Sequence, residues 1–163
     1  MAKSIQDLIN SEVFKDYNFK DESLICCDKQ LTSLKGIEKF INLKRFYCIN
    51  NQLTSLEGIE HLHNLEELYC RTNQIVSLKG IENLKKLTTL DCRDNSLTSL
   101  VGIENLENLA VLRDGNNPCY PKYRGLTLQE TVAEVYIEAH LKHNDELRGA
   151  ASIMDTGLFD FKV

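Results

Sequence analysis

Leucines recur along this chain with a period of 22 residues. Leu43, Leu65, Leu87 and Leu109 open successive copies of L-x-x-L/F-x-C-x-x-N-x-L/I-x-x-L-x-G-I-E-x-L-x-x. The pattern changes character within each copy. Leu-x-Cys, as in Leu68-Tyr69-Cys70, alternates inward and outward positions, the signature of a strand with one buried face. Asn51, Asn73, Asn95 and Asn117 follow the strand where the chain must turn. An asparagine there can bond the free backbone groups of neighbouring turns and build a ladder. Gly36, Gly58, Gly80 and Gly102 fit a bend that needs permissive dihedrals. Ile and Leu then return the far side of the copy to the core, as at Ile81 and Leu84. Thr54-Ser55 and Thr98-Ser99 supply polar turn positions. One copy is too short to bury its own apolar face, so the copies must stack. The pattern predicts a solenoid whose two ends need caps, and which presents a surface rather than an enclosed active site.

The copies are not uniform. Residues 1–20 lie outside the repeat and read as an N-terminal cap. Ser4 and Asp7 are spaced to cap a short helix carrying Ile5, Leu8, Ile9 and Val13. Repeats span 21–118. The first is degenerate (Leu24, Cys26, Leu31, Leu34, Gly36, Ile37), with Lys29 where later copies carry Asn. Complete copies follow at 43–64, 65–86 and 87–108, and a partial one runs from Leu109 and Leu112 to Asn117-Pro118. Asp114 stands there in place of the core cysteine. A carboxylate facing inward is costly unless paired, so the stack is expected to end with Asp114 at solvent or against a cap. Residues 119–163 read as a C-terminal helical cap and tail. Pro118, Pro121 and Gly125 mark a loop, and Thr127-Leu128-Gln129-Glu130 is a capping box. Leu128, Val132, Val135, Tyr136 and Ala139 form an apolar stripe on the helix. Glu130, Glu134 and Glu138 form another face, with Glu138 spaced to pair with Lys142. The helix either seals the last repeat or is a functional appendage. The apolar tail (Ile153, Met154, Leu158, Phe159, Phe161) either folds back on it or docks elsewhere.

Composition narrows the function. The 163 residues carry a net charge of −5. That argues against nucleic acid, whose phosphates need a basic face. No apolar run reaches membrane-spanning length, and the N-terminus lacks the apolar core of a signal peptide. The six cysteines are an even number, but Cys26, Cys48, Cys70 and Cys92 recur at one repeat position. They therefore share one inward slot, where a free thiol behaves as a small hydrophobe. Reduced thiols place the protein in the cytoplasm.

The repeat resembles the leucine-rich repeat family. The stretches that carry the likeness are Leu65-Glu66-Glu67-Leu68-Tyr69-Cys70-Arg71-Thr72-Asn73-Gln74-Ile75 and Leu87-Thr88-Thr89-Leu90-Asp91-Cys92-Arg93-Asp94-Asn95-Ser96-Leu97. Within the family it is similar to the 22-residue class of bacterial internalins and of the repeat-built regulatory subunit of protein phosphatase 1. Cys in the second strand slot, with Asn-Gln-Leu-Thr-Ser-Leu and Gly-Ile-Glu, resembles a variant of giant viruses of amoebae and of amoeba-associated bacteria; a viral or secreted protein of that kind would act in the host cytoplasm. The resemblance implies an α/β solenoid: a curved right-handed coil with a parallel sheet on its concave side and protein recognition there. No phosphatase-binding motif carries over.

Register then nominates the concave residues: Arg45, Tyr47 and Ile49; Glu67, Tyr69 and Arg71; Thr89, Asp91 and Arg93; Val111 and Arg113. Tyr47 and Tyr69 fall side by side at the strand spacing of about 4.8 Å, as do Arg71 and Arg93, with Arg113 nearby. Tyr and Arg are enriched at interface hot spots. Arg45, Tyr47, Glu67, Tyr69, Arg71, Asp91, Arg93 and Arg113 are the expected partner-binding set, receiving another protein through an acidic or phosphorylated segment. The bland alternative is a solvated sheet in which Arg71 and Arg93 pair with Glu67, Asp91 and Asp94. The chain is expected to be a monomer without cofactor or metal. The runner-up role is a structural or assembly subunit that self-associates through its ends or tail.

Catalytic readings fare worse. Asp155-Thr156-Gly157 copies an aspartic-protease signature but has no second copy to share a proton with. Cys27 has no histidine placed as its base. Cys119, in a loop, is expected to be more exposed than the core thiols. His61-x-His63 and His140-x-x-His143 lack the further ligands of a zinc site.

Overall fold

The structure, a computed structural model, describes residues 3–11, 14 and 20–148, with side chains as far as His140. The chain opens with β1 (Lys3–Ser4) and α1 (Ile5–Ile9). The strands that follow are β2 (Ser23–Ile25), β3 (Leu31–Ser33), β4 (Arg45–Tyr47), β5 (Glu67–Tyr69), β6 (Thr89–Asp91) and β7 (Val111–Arg113). It closes with α2 (Tyr120–Tyr123) and α3 (Leu128–Arg148). Strands β2, β4, β5, β6 and β7 form one parallel sheet in that order. Each pairing advances by one repeat, so Leu24, Phe46, Leu68, Leu90 and Leu112 form a row. This is an α/β solenoid with helices at its C-terminal end.

Each part of the 22-residue pattern finds a physical role. Leu24, Phe46, Leu68 and Leu90 are fully buried, as are Cys26, Cys48, Cys70 and Cys92 in the next row. All six cysteines are free thiols. The backbone ladder continues past the strands: Cys48 N donates to Tyr69 O and Cys70 N to Asp91 O, both at 2.9 Å. The asparagines form the expected ladder. Asn95 Oδ1 accepts from Ile75 N at 2.9 Å, and its Nδ2 donates to Cys70 O and Cys92 O at 3.1 Å. Asn51, Asn73 and Asn117 repeat this bridge between successive turns.

The opposite side carries the 3-10 helices Ile37–Lys39, Ile59–His61, Ile81–Asn83 and Ile103–Asn105. The preceding glycines hold φ between 100° and 116°, and glycine alone adopts that region readily. The Glu of Gly-Ile-Glu also has a reason. Glu38, Glu60 and Glu104 accept from the N–H of Gly36, Gly58 and Gly102 at 2.9, 2.8 and 2.6 Å, satisfying an orphan donor at the helix start.

Both ends are covered. Ser4 and Asp7 form the predicted capping box, and α1 buries Ile5 and Leu8 over the first repeat. Gln6 N donates to Lys35 O at 2.7 Å, and β1 pairs in parallel with β3. Phe14 meets Phe40 edge-on, with ring centroids 6.4 Å apart. At the other end, Thr127 and Glu130 cap α3 as expected. Helix α3 packs on the 3-10 helix Ile103–Asn105 with Val135 and Thr131 buried.

Three expectations at the C-terminal end need correction. Tyr136 lies outside the buried stripe: it is 54% exposed and stacks on His140 at 3.9 Å, while Thr131 takes the inward place. Glu138 turns inward, accepting from Lys122 Nζ at 2.8 Å and Tyr123 OH at 2.7 Å. Lys122 and Tyr123 of α2 hold Glu138 there. Cys119 is buried, 5% exposed, because its N–H bonds Leu97 O and sets it on the end of the core. Asp114 is half-buried, and burial holds its carboxyl above the usual range. Val13, the side chains of Lys142 and His143, and residues 149–163 with Asp155-Thr156-Gly157 lie outside what is described.

Candidate functional site

The outward face of the sheet is built by two rows of each strand and a third just beyond it. Cross-strand register places Ser23, Arg45, Glu67, Thr89 and Val111 in the first row. Ile25, Tyr47, Tyr69, Asp91 and Arg113 form the second. The continuing backbone ladder sets Ile49, Arg71, Arg93 and Gly115 side by side in the third. Strands in such a ladder sit about 4.8 Å apart.

Tyr47 and Tyr69 stack with centroids 4.8 Å apart and planes 2° from parallel. Repeat spacing alone imposes this contact. Tyr69 OH donates to Glu67 Oε2 at 2.9 Å, which pins the ring. Burial, then this carboxylate, raises the Tyr69 hydroxyl above its ordinary value. Arg45 Nε donates across the strands to Ser23 Oγ at 2.8 Å. The result is a flat aromatic plate with polar supports on one side.

Asp91 lies on this face but is only 2% exposed. Arg93 covers it through two hydrogen bonds, Nε to Oδ1 at 2.9 Å and Nη2 to Oδ2 at 2.7 Å. Burial raises the Asp91 carboxyl, but the hydrogen bonds and charge of Arg93, aided by Arg113, outweigh it and hold it below the usual range. So the Arg93–Asp91 half of the solvated-sheet alternative is present. The rest is not: Glu67 is engaged by Tyr69, and Arg71 has no ion pair or side-chain hydrogen bond among the described residues. Arg113 is in the same condition, and both are exposed.

Sequence reasoning overlooked Ile25. It is 68% exposed and extends the tyrosine row by one strand. The signal was present, because Ile25 precedes Tyr47 by one period; the degenerate first copy obscured it.

Other sites are less organised. An open groove of about 620 Å³ lies on the 3-10 side between Thr54, Glu57, Glu60, Val76, Lys79 and Glu82. Among the described residues, no three His, Cys, Asp or Glu side chains are grouped as metal ligands. None of the described helices is long and apolar enough to cross a membrane. Burial raises the thiols of Cys26 and Cys119, to about 12 and about 11.

Comparison with known proteins gives the likeness a frame. Residues 41–85 match the family model of leucine-rich repeats. No curated protein matches the chain. Three solved structures from Listeria monocytogenes are similar. Internalin InlF shares 25% identity at a TM-score of 0.57, covering 58% of this chain and 28% of its own. Internalin C2 shares 28% at 0.58, covering 67% and 49%. The functional domain of InlJ, which includes a cysteine ladder, shares 33% at 0.55, covering 59% and 21%. The chain spans less than half the length of each.

Proposed function

We propose that this leucine-rich repeat protein, internalin-like in its repeats, is a non-catalytic module that binds another protein across its five-stranded sheet. The observation that carries the reading is the Tyr47–Tyr69 plate beside two uncommitted guanidiniums, Arg71 and Arg113. Aromatic and arginine side chains held rigidly on strands lose little entropy on binding and dominate interface energetics. Arg45, Glu67, Asp91 and Arg93 brace this surface. The free, deeply buried thiols support a reducing compartment. The test is affinity capture from cell lysate with wild type and Tyr69→Ala/Arg71→Glu at matched circular dichroism. A protein held by the first and lost by the second supports the reading; identical profiles sink it.

Self-association through the C-terminal end is the second reading. Tyr136 and Ile137 support it, 54% and 49% exposed on α3. Ile137→Lys lowering the sedimenting mass would favour it; a monomer in both forms would dismiss it.

A further inference from the structure

The chain has net charge −5, yet the outward strand rows hold four arginines against two carboxylates, Glu67 and Asp91. The charges are also sorted along the coil. The second row passes from Ile25 through Tyr47 and Tyr69 to Asp91 and Arg113. The third passes from Ile49 to Arg71 and Arg93, then ends at Gly115. In these two rows the face is apolar toward the first repeats and cationic toward the last, while the first row carries Arg45 on β4 and Val111 on β7.

The two free arginines stand on either side of a pair that neutralises itself. Asp91 holds both arms of Arg93, leaving that guanidinium little capacity for a ligand. At Gly115 no side chain covers Arg93; a Cβ there would lie 3.9 Å from Arg93 Cγ. Arg71 and Arg113 remain exposed and unpaired among the described residues. A partner covering them without supplying acceptors would bury uncompensated charge.

Resting on the reading of this sheet as the binding face, we propose that its occupant is an extended acidic segment of a partner protein. Its carboxylates meet Arg71 and Arg113 across the Asp91–Arg93 pair, and a neighbouring apolar residue lies on the Tyr47–Tyr69 plate. Arg71 and Arg113 belong to turns two apart, about 10 Å at the ladder spacing, and are offset by one row, two residues or about 7 Å along the strand direction, so about 12 Å separates them. An extended chain covers that in about three to four residues, so the acidic positions fall three or four residues apart. Arg93 is a positioning residue that sets the polar floor between them. Nucleic acid fits poorly, since two free cations on an acidic protein release few counterions.

The test is selection of a displayed random 12-residue peptide library on the full chain, followed by fluorescence anisotropy of the enriched peptides. Enrichment of Asp or Glu pairs beside Phe, Tyr or Leu is expected. Affinity should weaken with salt and fall at least tenfold in Arg71→Glu and in Arg113→Glu, while Arg124→Glu, outside the sheet, leaves it unchanged. The charge-reversed double variant should instead select Lys- and Arg-rich peptides. Peptides without acidic bias that Tyr69→Ala abolishes would overturn the acidic occupant and keep the sheet as the site. Peptides indifferent to every sheet substitution would overturn both. Failure to enrich any peptide, or tighter binding of a single-stranded oligonucleotide probe, would also overturn the acidic-segment proposal.

Discussion

The asparagine ladder supports a quantitative prediction, with Asn95→Ala as its sharpest form. Asn95 is buried, and its amide makes bonds in both directions along the coil. Its Oδ1 is the acceptor for Ile75 N. Its Nδ2 serves Cys70 O, Cys92 O and Arg93 O, each at 3.1 Å. The losses are unequal. Cys70 O keeps a bond from Asn73 and Cys92 O keeps one from Asn117. Ile75 N–H loses its side-chain acceptor. A buried unsatisfied N–H costs about 1–3 kcal/mol, and each net hydrogen bond lost about 0.5–1.5. A water entering the gap recovers part of this. The expected loss is about 2–4 kcal/mol. The control is Asn64→Ala, which removes two exposed bonds, one donated to Ile41 O and one accepted from Lys86 Nζ, and is expected to cost about 0.5 kcal/mol or less. The assay is urea unfolding followed by far-UV circular dichroism and tyrosine emission, since the chain has no tryptophan. Asn95→Asp adds a diagnostic arm. It keeps the acceptor for Ile75 N but turns an oxygen toward three carbonyls, so it should be at least as destabilised as the alanine form. If Asn95→Ala costs no more than Asn64→Ala at an unchanged m-value, the ladder does not hold the repeats together and the reasoning fails.

Three further outcomes follow from the same structure. Burial raises the Asp114 carboxyl, so the folded state favours its protonated form. Its contribution is most favourable below the unfolded value of about 3.9 and is lost as pH rises through the folded one. Asp114→Cys, restoring the repeat residue, should therefore stabilise at pH 7 by about 1 kcal/mol. By thermal melts the gain should shrink toward pH 4, and an equal gain at both pH values would contradict it. In the native protein, iodoacetamide should label Cys27 and spare the other five thiols until denaturant is added; mass spectrometry that finds Cys70 or Cys119 modified first would refute the inert core column. Gly36→Ala should destabilise by about 2 kcal/mol or more and deprotect α1 in hydrogen exchange, because its Cβ would lie 2.7 Å from Gln6 N at φ +101°. Gly125→Ala, with φ +86° and nothing within 4 Å, should lose only about 1 kcal/mol.

The repeat determined most of the architecture without help from long-range contacts. A 22-residue period with Leu-x-Cys, Asn and Gly-Ile-Glu specifies strand, turn and return, because every copy meets a neighbour like itself. Position in the repeat then gives position in space. That is why the Tyr47–Tyr69 stack, the inward cysteines and the asparagine bridges were legible from spacing. The same arithmetic held Ile25, but a degenerate copy hid it. What only the tertiary structure decided lies where this self-similarity ends or where side chains choose among partners. Asp91 had Arg71, Arg93 and Arg113 within reach by register; rotamer and burial gave it to Arg93 and left the other two without an ion pair or side-chain hydrogen bond among the described residues. Tyr136 gave its inward place to Thr131, and Glu138 turned toward α2, because the direction in which α3 crosses the last repeat is set by packing on Ile103–Asn105 and by bonds to α2, and not by the helix's own stripe. Cys119 is buried for the same reason: a loop by composition becomes interior when the end of a coil folds over it. Periodic sequence encodes nearest-neighbour geometry, whereas a terminus and a charge choosing its partner depend on contacts that no period contains.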